Sequence, residues 1–157
     1  MLVRSATPAD LAAMQAIAAH AVTAAEWSEG HYQALFALQP PRLALVLEEA
    51  EAEAAIEGFV VARAAGPEWE IENIAVSGPA RRRGLGTRLL GELLRRARAA
   101  GAEAVFLEVR ESNHAARALY EKWAFTESGR RRLYYRSPDE DAVVYRFSFV
   151  ENPGKGP

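Results

Sequence analysis

The stretch IENIAVSGPARRRGLGTRLLG, residues 71–91, decides how this chain folds. Its apolar-rich start, residues 71–76, predicts a strand, and Ser77-Gly78-Pro79 predicts the break that ends it. Three arginines then lead through Gly84-Leu85-Gly86 into an amphipathic helical pattern. Glycines let a ligand approach the backbone, and the first N–H groups of a helix have no partner inside it. This order of strand, glycine loop and helix therefore predicts an anion site, and phosphate oxygens suit it.

The glycine loop alone leaves an alternative open, because a surface turn with a solvated basic edge has the same pattern. Glycine is common enough for a G-x-G spacing to arise by chance. No Gly-Lys-Ser/Thr follows, as it would in a nucleotide P-loop, and the third glycine of a dinucleotide fingerprint is absent. The phosphate is therefore expected on a different kind of ligand.

The composition predicts one compact globular domain. A length of 157 residues fits a single core, expected to span residues 1–151, with a disordered tail at 152–157. The formal net charge of −2 makes the arginines local patches, which argues against a nucleic-acid binder. The absence of cysteine excludes disulfides and thiol nucleophiles. With no secretory pattern and no run long enough to span a bilayer, the expected location is the cytoplasm and no membrane partner is expected.

The remaining pattern alternates helices and strands around this stretch. Leu2 to Arg4 reads as a short extended start. Helices are predicted after Thr7, from Ser28 through Leu38, from Leu85 to about Gly101, and from Ser112-Asn113 through Trp123. Strands are predicted at residues 42–47, 56–64, 69–76, 104–109, 125–135 and 142–150, with a loop favoured for residues 48–55. A right-handed helical crossover would lay the strand at 104–109 parallel to the strand at 69–76.

Two side chains near the end of this strand pair could carry chemistry. Glu108 is the one ionisable residue within the apolar strand 104–109, and it lies toward the carboxyl end, where open α/β sheets bind ligands. It could serve as a general base, or it could pair with Arg110 or another arginine. Tyr120 shares one helix face with Ala116, Leu119 and Trp123. It could equally be a core tyrosine with a satisfied hydroxyl.

These residues carry a resemblance to a known family. The order of strand IAV, loop RRRGLG, helix, strand LEVR, and SN leading to ALYEKWAF resembles the GCN5-related N-acetyltransferase (GNAT) family over almost the whole chain. The pattern LEVR-x-SN-x-x-A-x-x-LY-E, with WS early and YY followed by DAVV late, is similar to its ribosomal-protein-alanine N-acetyltransferase subgroup. The resemblance implies an α/β fold with a mixed, mostly antiparallel sheet of about seven strands. A splayed parallel pair would lie at its centre, with about four helices flanking it.

The resemblance also implies a function and roles for particular residues. The chain would transfer acetyl from acetyl-CoA to the N-terminal α-amine of a protein or peptide, possibly a ribosomal protein, by direct transfer in a ternary complex. Glu108 would be the general base and Tyr120 the acid that protonates the departing thiolate. The expected cofactor contacts are Ile74, Ala75, Val76, Arg82, Arg83, Gly84, Leu85, Gly86, Thr87 and Asn113. The candidates for the acceptor groove are Trp27, Tyr32, Tyr134 and Tyr135, which could also be ordinary half-buried aromatics.

Three positions depart from the family pattern. Ala124 stands where the family often has the glycine of L-G-F, and Trp123 replaces a smaller apolar residue. Leu133 stands where the subgroup usually has Asn or Gly before Tyr-Tyr, which bears on the ribosomal assignment in particular.

Other functions remain open at this point. The same fold could acetylate a small amine such as an amino acid or polyamine, or it could be a non-catalytic acyl-CoA-binding module. His20, His31 and His114 have no metal-ligand spacing, so no metal is predicted. The chain is expected to be a monomer or a homodimer.

Overall fold

The computed structural model describes residues 1–21, 24–25, 27–49, 55–64, 66–78 and 84–149. The strands are β1 (Leu2–Ser5), β2 (Arg42–Glu48), β3 (Ile56–Arg63), β4 (Glu68–Val76), β5 (Ala104–Arg110), β6 (Thr126–Tyr135) and β7 (Glu140–Ser148). The helices are α1 (Leu11–Ala18), α2 (Glu29–Gln33), α3 (Leu85–Ala99) and α4 (His114–Lys122), with short 3-10 helices at Pro8–Asp10 and Ala34–Phe36. Most of the loop favoured for residues 48–55, and the tail expected at 152–157, lie outside the described residues.

The strands form one seven-stranded sheet in the order β1-β2-β3-β4-β5-β7-β6. The pair β4–β5 is parallel, and every other neighbouring pair is antiparallel. The predicted mixed sheet with a central parallel pair is therefore confirmed. The hairpin of β6 and β7 closes the sheet. All of β5 pairs with β7, from Ala104–Ser148 to Arg110–Ala142, so β7 lies on the inside and β6 forms the edge.

The parallel pair opens partway along its length. The paired positions of β4 and β5 run from Glu68–Ala104 to Ile71–Leu107, although β4 continues to Val76 and β5 to Arg110. A β-bulge follows at once on β4, since Val61 of β3 pairs with Asn73 and Ala62 pairs with Ile71. A bulge bends and twists its strand. The extra residue on β4, Glu72, therefore accompanies the point at which the two strands separate.

Two hydrophobic cores form on the two faces of the sheet. The larger packs α3 and α4 against one face and includes Leu89, Leu93 and Tyr120. The smaller packs α1 and α2 against the other face and includes Met14, Tyr32 and Val61. Leu85, Leu89, Leu90, Leu93, Leu94 and Ala97 are all buried, which is the stripe that the helical periodicity of α3 predicts.

The first two helices are shorter than their patterns indicate. The apolar spacing of α1 extends to Ala21, whereas the helix ends at Ala18. The Ser28 hydroxyl accepts the His31 N–H at 3.3 Å, as expected of an N-cap. The α-helix that it begins ends at Gln33 and gives way to a 3-10 turn. None of the helices in the described ranges is long and apolar enough to cross a membrane.

Gly58 is required by the close packing of β3 against α3. A Cβ at this position would lie 3.0 Å from Leu89 Cδ1 and 3.1 Å from the backbone oxygen of Ala75. Gly58→Ala is therefore expected to lower the free energy of unfolding by roughly 1–3 kcal/mol, because the carbonyl cannot move without disturbing the sheet. Urea denaturation measures the change. Gly129→Ala, where a Cβ meets nothing within 4 Å, should leave the midpoint nearly unchanged, and equal losses in both variants would contradict this account.

Candidate active site

The separation of β4 and β5 opens a cleft of about 1080 Å³ that reaches both faces of the sheet. Its walls come from α1, α2 and described residues between them, from β4, β5 and α4, and from the end of β6 with the residue that follows it. Glu108 and Tyr120 both line it. Glu108 pairs with Val144, on the face opposite the larger core, whereas Tyr120 belongs to that core. The two side chains therefore approach one cleft from the two faces of the sheet.

Glu108 combines an ion pair with access to the cleft. Its side chain is 13% exposed, and its Oε1 lies 2.5 Å from Arg131 Nε. An arginine partner was one of the two expectations, although the partner is Arg131 and not Arg110. The Glu108 carboxylate is the main cause that raises the pKa of the Tyr134 hydroxyl above its usual value. Glu108 thus lies beside both a cation and a phenol on β6.

Two further carboxylates line the cleft, and the sequence reasoning missed them. Both lie on β4: Glu70 pairs with Arg63 at 3.0 Å, and Glu72 pairs with Arg42 at 2.7 Å. Burial is the main cause that raises the pKa of Glu70; Arg63 opposes the shift, and the carboxylates of Glu108 and Glu72 add to it. The alternation Glu-Ile-Glu within a predicted strand was the available signal, since it puts both carboxylates on one face.

Tyr120 is both a core residue and a cleft residue. It is 4% exposed, and its ring centroid lies 5.9 Å from that of Phe125 and 6.1 Å from that of Tyr145. Burial raises the pKa of Tyr120, and Tyr135 adds to the shift. The hydroxyl therefore keeps its proton at neutral pH. The ring packs as expected of a core tyrosine, and the role of proton donor stays a prediction.

The four aromatic candidates for the acceptor groove all line the cleft. The rings of Trp27 and Tyr32 pack edge to face with centroids 5.3 Å apart, on the side of α1 and α2. Tyr134 and Tyr135 pack in the same way at 5.1 Å on the opposite wall. Trp27 and Tyr135 are half-buried, as the alternative expectation held, whereas Tyr32 is buried and Tyr134 is exposed.

Arg110 holds the wall that carries Tyr135. Its guanidinium lies 4.6 Å from the centre of the Tyr135 ring and donates to the backbone oxygens of Arg136 and Pro138, each at 2.9 Å. It also pairs with Glu140 at 3.3 Å. The turn between β6 and β7 is therefore fastened to the end of β5.

The candidate cofactor residues fall into two groups. Ile74 and Asn113 line the cleft, and Ile74, Ala75 and Val76 lie on the part of β4 beyond its last pair with β5. Asn113 caps α4, since its Oδ1 accepts the Ala116 N–H at 3.1 Å. These positions agree with contacts to a ligand that enters the gap.

The second group lies at the start of α3. Gly84 is the N-cap with a φ of 73°, a left-handed conformation that favours glycine, and it has no side chain with which to cap the helix. Leu85, Gly86 and Thr87 form its first turn. These four residues are not among those that line the cleft, and Arg82 and Arg83 lie outside the described residues. Phosphate binding at this loop therefore stays a prediction.

A metal centre finds no support in the described part of the chain, which contains no group of three or more His, Asp or Glu side chains able to hold an ion.

Comparison with known proteins points to one family. Residues 11–125 match the model of the acetyltransferase (GNAT) family. The N-alpha-acetyltransferase RimI of Mycobacterium tuberculosis is 46% identical over 79 residues, which cover 50% of this chain and 48% of that protein. The [ribosomal protein bS18]-alanine N-acetyltransferase of Escherichia coli strain K12 is 41% identical over 88 residues, which cover 55% of this chain and 60% of that protein. The matches thus span about half the length of these relatives.

Solved structures extend the similarity to nearly the whole chain. The crystal structure of the ribosomal-protein-S18-alanine N-acetyltransferase from Escherichia coli superimposes with a TM-score of 0.80 at 31% identity. That superposition covers 96% of this chain and 95% of the other. The ribosomal-protein-alanine N-acetyltransferase from Brucella melitensis gives a TM-score of 0.75 at 27% identity, with coverage of 95% and 100%.

Proposed function

The chain belongs to the acetyltransferase (GNAT) family, and from that membership we propose that it transfers acetyl from acetyl-CoA to the N-terminal α-amine of a protein or peptide. The observation that carries the proposal is the cleft through the sheet, which has a carboxylate at its rim on one face and a protonated tyrosine on the other. The names of the similar proteins supply the choice of an N-terminal acceptor, and a ribosomal protein in particular.

Acetyl-CoA would bring the acetyl group as a thioester, and the gap between β4 and β5 fits a narrow chain that enters the sheet. The backbone of Ile74, Ala75 and Val76 would bind along this gap. Arg82, Arg83 and the residues Gly84 to Thr87 would hold the phosphates at the start of α3, where unpaired helical N–H groups and the helix dipole favour anions. Asn113 would contact the same ligand from the start of α4.

Glu108 would prepare the acceptor. An α-amine has a pKa of about 7.7–8.0 and is mostly an ammonium at neutral pH, so it must lose a proton before it can attack. Glu108 accepts that proton, directly or through a water molecule. The amine nitrogen then forms a bond to the acetyl carbon while the carbon–sulfur bond breaks.

Tyr120 would complete the transfer. Its hydroxyl gives a proton to the departing sulfur, so that the free thiol leaves. The direct reaction needs no covalent intermediate on the protein, which agrees with a chain that contains no cysteine. Aromatic side chains on both walls of the acceptor side, Trp27 with Tyr32 and Tyr134 with Tyr135, support an acceptor of peptide length.

The proposal predicts release of free thiol when the protein is mixed with acetyl-CoA and a panel of short peptides with free N-termini. We expect the best peptide to exceed amino acids and polyamines in kcat/KM by at least about tenfold, because only a peptide fills both aromatic walls. A thiol-reactive dye gives the rate, and N-terminally blocked peptides are the control. Preference for a free metabolite would select the small-amine alternative, and tight acetyl-CoA binding without thiol release would select the non-catalytic module.

A further inference from the structure

One buried polar group in the cleft has no partner. Asn73 is 3% exposed, and its Nδ2 is the buried side-chain atom without a hydrogen bond in the part of the chain that the structure describes. Its Oδ1 accepts the backbone N–H of Ala25 at 2.9 Å, which identifies the oxygen and turns Nδ2 away from that backbone. A buried donor left unpaired is costly and uncommon in native proteins, so a ligand is the natural partner.

The position of Asn73 assigns that ligand to one side of the sheet. Asn73 pairs with Val61, which belongs to the smaller core beneath α1 and α2, whereas Tyr120 lies in the larger core on the other face. Asn73 also lines the cleft. A group that reaches Nδ2 therefore lies on the side of Glu108 and the aromatic walls, where the acceptor would bind.

A second donor lies beside the first. Tyr32 of α2 is 4% exposed and lines the cleft. Burial raises the pKa of its hydroxyl, and the side-chain amide of Asn73 lowers it in part, so the two groups are neighbours. They do not form a hydrogen bond with each other, because Asn73 Nδ2 has no partner. The pair offers two N–H or O–H donors to one oxygen atom.

The charges around Asn73 and Tyr32 determine whether the oxygen that they bind belongs to a carboxylate or to a neutral carbonyl. Among the described residues, the charged side chains that line the cleft are four carboxylates, Glu29, Glu70, Glu72 and Glu108, and two guanidiniums, Arg110 and Arg136. Arg110 is already paired with Glu140. An acceptor carboxylate would therefore meet an excess of negative charge, and a neutral amide carbonyl would not. A free amino acid carries a carboxylate next to its amine, a peptide carries an amide carbonyl there, and a polyamine carries neither.

We propose that Asn73 Nδ2 and the Tyr32 hydroxyl bind the first amide carbonyl oxygen of the acceptor, so that the site takes a peptide N-terminus and discriminates against free amino acids and simple amines. This inference rests on the proposed function. It makes Asn73 and Tyr32 residues that determine acceptor class, while the reaction itself stays with Glu108 and Tyr120.

The test compares two acceptors in the intact protein. One is a peptide with N-terminal alanine, and the other is the same peptide with its first amide replaced by a trans-alkene, which keeps the shape but lacks both the carbonyl oxygen and the N–H; the Asn73 and Tyr32 variants separate the effect of the oxygen from that of the N–H. We expect the wild type to favour the amide by at least about tenfold in kcat/KM, because the alkene leaves the donors unpaired. Asn73→Asp keeps an oxygen for the Ala25 N–H but removes one of the two donors, so most of this preference should be lost while KM for acetyl-CoA is unchanged.

Two further variants complete the design. Tyr32→Phe removes the second donor and keeps the ring, so it should lose part of the preference. Gln33→Leu removes a side-chain amide next to Tyr32 that does not line the cleft, and it should keep the wild-type preference.

Each outcome bears on a separate claim. Equal use of both acceptors by the wild type would overturn the inference and leave the proposed function intact, whereas acetylation of no amine would overturn the proposed function itself. Retention of the preference in Asn73→Asp would also overturn the inference. If Asn73→Asp does not fold, Tyr32→Phe decides, since an undiminished preference there would count against the carbonyl site.

Discussion

Glu108→Gln is expected to lower kcat for peptide acetylation by about 10²–10⁴-fold, because glutamine keeps the shape of the side chain but cannot accept the proton of the acceptor ammonium. The fold should survive the change, since the side chain lies at the cleft and its ion pair is with the largely exposed Arg131. Steady-state rates of thiol release, with KM for acetyl-CoA measured in parallel, give the result. KM for the cofactor should change little.

Glu111→Gln is the matched control. Glu111 also forms an ion pair, with Arg130 at 2.6 Å, but it does not line the cleft, so its loss should leave kcat unchanged. If Glu108 served only to pair with an arginine, both variants would behave alike. A third variant, Glu70→Gln, tests whether another carboxylate accepts the proton. Full loss of activity in Glu70→Gln, together with normal turnover in Glu108→Gln, would identify Glu70 of β4 as the proton acceptor.

Local pattern was enough to predict most of the secondary elements and the parallel pair, although the first two helices end earlier than their patterns indicate. The periodicities of α3 and β5 are long and regular, and the helical crossover between β4 and β5 has one preferred hand. Those features are local in the sequence or follow from a general rule of chain connection. The prediction of a parallel pair therefore did not depend on contacts between distant residues.

Two of the departures from the family pattern lie at positions with an unusual backbone conformation. Ala124 and Leu133 have φ values of 64° and 49°, in the left-handed region that favours glycine and asparagine. The family usually has glycine at the first position and Asn or Gly at the second. The Leu133 N–H donates to Asp141 Oδ1 at 2.8 Å, and this bond supports the unusual conformation. Both positions of this chain thus have a backbone conformation that suits the residues typical of the family better than alanine or leucine.

The acceptor side could not be predicted in the same way. Beyond the bulge at Glu72, the residues of β4 face the opposite sides of the sheet from those that regular alternation predicts. The spacing of apolar residues in the strand does not predict this bulge. Asn73 faces the acceptor side only because of that register shift. Its unpaired nitrogen depends further on a contact to Ala25, which lies 48 positions away in the chain. Long-range contacts of this kind require coordinates.

Tyr120→Phe is expected to reduce kcat about a hundredfold, within the range that a single proton donor contributes. The reason lies in the leaving group, because a thiolate that departs into a buried part of the cleft gains most from a proton supplied as the carbon–sulfur bond breaks. Burial raises the pKa of Tyr120, so the hydroxyl is protonated and able to donate throughout the neutral range. Phenylalanine keeps the ring and removes the donor.

The core interpretation of Tyr120 predicts the opposite result. Packing against Phe125 and Tyr145 involves the ring alone, so a residue that serves only the core would tolerate phenylalanine with normal turnover. Tyr145→Phe is the matched control: its hydroxyl donates to Glu121 at 2.8 Å and accepts from Arg117 at 3.0 Å, away from the cleft. That variant should lose stability in urea and keep kcat. Equal kcat in the wild type and Tyr120→Phe would remove the tyrosine from the reaction, since its position at the cleft would then reflect packing alone.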